Sequence, residues 1–233
     1  MLGRDHAPAE AEEAFHTLRR AGFSVVNVDL MFSVPGQSLE TWGETVRRTA
    51  ALEPDHVSAY NLTYEEDTAF FDKLNAGEFS RSEDKDAACF SSVMELLGEA
   101  GFRHYEISNY ARPGFESVHN QSYWAGEDYL GLGPSAVSTV DRMRWKNVES
   151  TALYISNPQA GRSVENLTED QWRCERIALE LRTVRGLAME YLPFPERVEA
   201  LVTDGLAEAG GGRLVLTQKG KYVADTVAAH LWV

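Results

Sequence analysis

Apolar and polar positions divide the chain into two kinds of territory. Ala11, Ala14, Phe15 and Leu18 recur at helical spacing after Pro8, which suits a first helical turn, and Gly22 closes that segment. Residues 23–31, Phe-Ser-Val-Val-Asn-Val-Asp-Leu-Met, are β-branched and nearly apolar, which predicts a buried parallel strand. Pro35-Gly36 breaks it. Ser38 then caps a helix to about residue 52 with Leu39, Trp42 and Val46 on one side, and residues 56–62 form a second strand. Helix, strand, helix, strand is a βα repeat, the unit of parallel sheets and barrels.

Beyond Leu62 the period changes. Residues 68–75 and 83–100 predict helices and 103–108 a strand, while 109–133, rich in Gly, Asn, Tyr and Trp, reads as loop. Residues 157–163 have the composition of a linker. Thr168 with Gln171 forms a capping box for a helix to about residue 183, and residues 196–209 predict another. The glycine run 210–212 leads into a short strand, 213–216, and Thr217 caps a last helix. The order helix, helix, short strand, helix predicts a small winged-helix-like α+β domain. The expected division is 1–160 and 161–233.

Hydrophobic residues are 43% of the 233, enough for a core. No apolar run is long enough to span a bilayer, and the first residues lack a signal-peptide layout, so a cytoplasmic setting is expected. The formal charge of −14, from 36 acidic and 22 basic residues, opposes a polyanion, and nucleic acid is not an expected partner. The last domain repeats the bias, with eight Lys or Arg against eleven Asp or Glu from residue 163 onward. Cys89 and Cys174 lie in apolar helical patterns and read as buried packing thiols, with no spacing that suggests a metal site.

Three places carry candidate chemistry. Asp29 falls late in the first strand, where a carboxylate can bind a ribose or an amine, or cap the next turn. His119 stands in His119-Asn120-Gln121-Ser122-Tyr123-Trp124; imidazole ligates haem iron and the aromatic rings offer flat surface, but a lone histidine is also an ordinary surface residue. Gly131-Leu132-Gly133-Pro134 lacks the strand-to-helix context of a dinucleotide fingerprint and reads as a tight turn.

Several stretches occur together and in order: Leu2-Gly3-Arg4-Asp5-His6; Asn27-Val28-Asp29-Leu30-Met31-Phe32-Ser33-Val34-Pro35-Gly36-Gln37; His56-Val57-Ser58-Ala59-Tyr60-Asn61-Leu62; Tyr105-Glu106-Ile107-Ser108-Asn109-Tyr110-Ala111-Arg112-Pro113-Gly114; His119 to Trp124; and Tyr129-Leu130-Gly131-Leu132-Gly133-Pro134. Together they resemble the HemW-type family, haem-binding relatives of the radical S-adenosylmethionine coproporphyrinogen oxidases. The resemblance implies an α/β fold made of an incomplete radical S-adenosylmethionine β/α barrel and a HemN-type C-terminal domain. It implies S-adenosylmethionine contacts at Arg4, Asp29 and Met31, and haem contacts at His119, Tyr123 and Trp124, with His119 the candidate iron ligand.

The function implied is a haem chaperone that passes its cargo to an acceptor protein. The rivals are an oxygen-independent coproporphyrinogen III oxidase and an inactive fragment. The family's Cys-x-x-x-Cys-x-x-Cys loop, which holds a 4Fe-4S cluster, is expected to lie before residue 1, so catalysis by this chain alone is not expected. Ser33 stands where relatives usually carry Gly, and Val137 where they often carry His. Without its upstream neighbour the first strand becomes a sheet edge. Poor stability, self-association as a homodimer, or completion by further sequence is then expected.

Overall fold

The computed structural model describes residues 7–192 and 194–232. The chain divides into two compact units, Met1–Ser117 and Val118–Val233. The boundary expected at 160/161 instead falls inside the second unit, because backbone pairing crosses it: Met143 to Lys146 pair with Ser163 to Asn166. The expected linker at 157–163 is thus a short connection within one sheet.

The first unit runs α1 (Pro8–Arg20), β1 (Asn27–Phe32), α2 (Leu39–Ala51), β2 (His56–Asn61), α3 (Ala69–Asn75), α4 (Glu83–Glu99), β3 (Arg103–Glu106) and β4 (Asn109–Ala111). The strands form one sheet in the order β1-β2-β4-β3. β1 and β2 are parallel across the α2 crossover, and the later pairs are antiparallel. Ser38 caps α2 by accepting from the Thr41 N–H at 3.1 Å. The helices cover one sheet face: Trp42 and Val46 of α2, and Cys89, Phe90, Val93 and Leu97 of α4, bury against Phe32, Val57 and Ala59. Burying each large apolar side chain there contributes about 1.5–3 kcal/mol. The Trp42 indole N–H donates to the Cys89 carbonyl at 2.9 Å, so this core leaves its polar handle satisfied.

β1 departs from expectation. It starts at Asn27, not Phe23, and its residues are not uniformly buried. As the sheet edge it has a neighbour on one side only; Phe23 and Val25 before it are 58% and 53% exposed. Arg19 ties the segment down instead, pairing with Asp55 at 2.8 Å and donating to the Ser24 and Glu53 carbonyls.

The second unit runs α5 (Val118–Trp124), β5 (Val137–Val140), β6 (Met143–Lys146), α6 (Thr151–Ser156), β7 (Ser163–Asn166), α7 (Glu169–Glu180), β8 (Leu187–Ala188), α8 (Pro195–Thr203), β9 (Ala207–Gly210), β10 (Arg213–Leu216), α9 (Gln218–Tyr222) and α10 (Ala224–Trp232). It holds two antiparallel three-stranded sheets, β5-β6-β7 and β8-β10-β9. The expected loop at 109–133 contains β4 and α5, two elements too short to show a period. The helix expected to reach residue 209 stops at Thr203, because residues 207–210 pair with β10. The single last helix is two, broken at Val223. Cys174, expected to be buried, is only half-buried; both cysteines are free thiols.

Gly131 illustrates why this unit's turns look as they do. A Cβ there would strike the Val137 carbonyl, so only glycine admits this approach. The Gly131 N–H donates to Ser138 Oγ at 2.9 Å, and the Asn147 amide donates to the Gly131 and Gly133 carbonyls at 3.2 and 3.0 Å. The expected tight turn is therefore built on two buried polar side chains. Among the described residues no helix is long and apolar enough to cross a membrane.

Candidate functional site

The two units carry separate constellations. In the first, strand periodicity sets Asn27, Asp29 and Met31 on the sheet face away from the helices. The register aligns them with His56, Ser58 and Tyr60 of β2. The result is one apolar and one polar face, as where a sheet backs onto helices and fronts a site. Asp29 is exposed and Met31 half-buried. Arg4 lies outside the described residues.

The polar face is wired together. The Ser117 N–H donates to the Tyr105 hydroxyl at 3.3 Å, and that hydroxyl lies 2.8 Å from His56 Nε2. His56 Nδ1 is 2.7 Å from Asn27 Oδ1, and the Asn27 amide N–H donates to Asp29 Oδ1 at 2.7 Å. Because the amide oxygen only accepts, Nδ1 carries the proton and Nε2 accepts from Tyr105. Burial holds the His56 pKa below its ordinary value, although Asp29 and Glu116 pull it upward. His56 is therefore a neutral, doubly bonded imidazole that holds Asn27 toward Asp29. Ser33, just past β1, has φ +62°, a conformation natural to glycine.

In the second unit α5 presents His119 and Tyr123 one turn apart, with ring centroids 4.8 Å apart in an edge-to-face contact. Tyr123 also meets Tyr129 at 4.6 Å. His119 is exposed, and neither ring nitrogen has a hydrogen-bond partner among the described residues. Trp124 is half-buried beneath the Arg182 guanidinium, which lies 5.8 Å from its ring centroid, and its indole N–H is shielded from solvent. His119 and Tyr123 thus form an open pair, whereas Trp124 packs inward.

Tyr123 also borders a cavity of about 320 Å³ lined by Tyr129, Arg142, Arg144, Trp172 and Arg176 among others. This is within the usual size of small-molecule sites, roughly 300–1,000 Å³. Arg144 is gripped by both Glu175 carboxylate oxygens at 2.7 Å, which holds its pKa above the ordinary value. Sequence reasoning missed this cavity. Its walls come from α5, β5, β6 and α7, and the one local signal was the aromatic and glycine content around residues 123–129.

An iron–sulfur cluster does not fit the described residues. The two thiols lie in different units, and among the described residues no group of three or more His, Cys, Asp or Glu could hold a metal ion. His119, by contrast, is an exposed imidazole whose aromatic neighbour, Tyr123, borders the cavity.

No protein-family profile matches the chain. Among curated proteins, Heme chaperone HemW of Mycobacterium tuberculosis is 36% identical over 239 residues, covering 99% of this chain and 61% of that protein. Heme chaperone HemW of Lactococcus lactis is 29% identical, covering 97% and 63%. A zebrafish protein named Radical S-adenosyl methionine domain-containing protein 1, mitochondrial, is 37% identical over 58% of this chain and 31% of its own length. A solved structure of coproporphyrinogen III oxidase (HemN) from Escherichia coli, described as a radical SAM enzyme, aligns with a TM-score of 0.76 at 19% identity, over 100% of this chain and 60% of that one. The mixed α/β fold is thus that of HemN, and the chain spans about three-fifths of the length of the relatives it matches. With its ordered motifs, its HemN-like fold and its likeness to HemW proteins over nearly its whole length, the chain fits the HemW-type family over about three-fifths of its relatives' length.

Proposed function

We propose that this chain is part of a haem chaperone, holding haem at His119 and releasing it to an acceptor protein. The observation that carries this is the exposed His119 ring, with both nitrogens unengaged among the described residues, beside Tyr123 and an aromatic cavity. An imidazole presented this way is a competent axial ligand for haem iron. Tyr123 offers its ring to the macrocycle, and Trp124 supports α5 from the inner side.

Asp29 and Met31, on the polar sheet face, are the proposed S-adenosylmethionine contacts, together with Arg4. The βα repeat with its polar face supports an incomplete barrel for the first unit, and the helices around β8-β10-β9 support a winged-helix-like end for the second. The 4Fe-4S cluster would need ligands other than the described residues. We place the chain in the cytoplasm on the sequence grounds above, with haem and an acceptor protein as partners, no nucleic acid, and a homodimer as one way to cover the β1 edge. Likeness to the oxidase at 19% identity carries the fold and not its chemistry.

Titration of the chain with haemin, followed in the Soret band, tests the proposal. The unaltered chain should give a saturable shift, and His119→Ala should weaken it at least roughly tenfold, about 1.4 kcal/mol. An unchanged titration in His119→Ala would refute haem ligation at this residue.

A further inference from the structure

The cavity next to Tyr123 contains a feature that the haem proposal does not use. Arg176, on α7, is only 6% exposed. One of its terminal nitrogens is paired with Glu180 at 2.6 Å, but its Nε has no hydrogen-bond partner among the described residues. Leaving a buried donor unmade costs about 1–3 kcal/mol, more for a charged group. A guanidinium held so is a donor awaiting an acceptor, and a carboxylate is the acceptor its geometry suits best.

Gly126 makes room for that side chain. It sits at φ +58°, and a Cβ on it would collide with the Arg176 guanidinium. The cavity's aromatic side chains, Tyr123, Tyr129 and Trp172, suit a flat apolar body. The other two arginines are committed: Arg144 to Glu175, and Arg142 to Glu169 at 2.8 Å. Glu127 and Asp128 also border the cavity, but both are exposed, where solvent and salt screen them.

We propose that this cavity seats the carboxylate-bearing edge of the tetrapyrrole, with the Arg176 guanidinium, which lines the cavity, turning so that its unpartnered Nε–H donates to a propionate while His119 faces the iron. This rests on the haem proposal above. It adds a second anchor, linked to the first through Tyr123, which touches His119 and borders the cavity.

The test compares haemin with its dimethyl ester, which keeps the ring and iron but masks both carboxylates. Both are titrated into the unaltered chain, Arg176→Met, Ala178→Phe and His119→Ala. The unaltered chain should prefer haemin by about tenfold, the value of one charge-assisted hydrogen bond. Arg176→Met should bind the two alike. Glu180 keeps the Ala188 N–H at 3.1 Å and Arg213 at 3.6 Å in that variant. Ala178→Phe, which fills the cavity without changing charge, should weaken haemin and guards against an Arg176→Met chain that fails to fold. Equal binding of haemin and ester by the unaltered chain, or full haemin affinity in Ala178→Phe, overturns the proposal. If either occurs while His119→Ala still weakens haemin, only the cavity assignment falls. If the unaltered chain binds neither ligand, both proposals fall.

Discussion

His56 and His119 are the same side chain put to opposite uses. His56 is buried on a sheet face, held at one nitrogen by Asn27 and at the other by Tyr105. His119 is exposed on a two-turn helix and touches only an aromatic edge among the interactions described. A lone pair already spent on a phenol cannot reach a metal, and one left open can. Sequence position does not distinguish them; both lie in motif-like stretches. What separates them is whether the fold supplies partners for the two ring nitrogens.

The largest expected effect comes from removing the buried ring. His56→Ala leaves Tyr105 and Asn27 without their partner and should cost about 1–3 kcal/mol in urea unfolding. A loss no larger than that of a surface substitution would erase the contrast. A smaller effect follows from the lowered His56 pKa. The unfolded chain binds its proton at about pH 6.5, above the folded value, so stability is full above that pH. It is lost as pH falls through the window below, and the urea midpoint should drop accordingly. His56→Ala should flatten that part of the pH profile. The smallest effect belongs to His119→Ala, which should change stability by no more than about 0.5 kcal/mol while impairing haem uptake. A large destabilisation would mean that His119 is a structural group.

The sequence made some of this plain. The starts of α2 and α7 were legible because Ser38 and Thr168 signal them by chemistry that acts within four residues. Asp29 and Met31 share a face by strand periodicity alone. Other features depend on distant partners. Residues 207–210 favour helix locally and become strand only because Arg213 to Leu216 offer a ladder. β1 looked fully buried, yet an edge position exposes alternate residues. The cavity required Arg176 and Trp172 of α7 to meet Tyr123 and Tyr129, and no spacing in the sequence encodes that meeting. Of the six residues assigned from motifs, Asp29 and Met31 lie together on one face, and His119 and Tyr123 touch. Trp124 packs inward, and Arg4 lies outside the described residues.

The cysteines make the chain its own reporter. Each compact unit contains one thiol, Cys89 in the first and Cys174 in the second. Burial raises the pKa of both, and alkylating reagents attack only the thiolate. Cys89 is fully enclosed between α2 and the sheet, so its modification must wait for that core to open. Pulsed alkylation read by peptide mass therefore times the opening of the first unit, with the half-buried Cys174 as an internal reference and no engineered label.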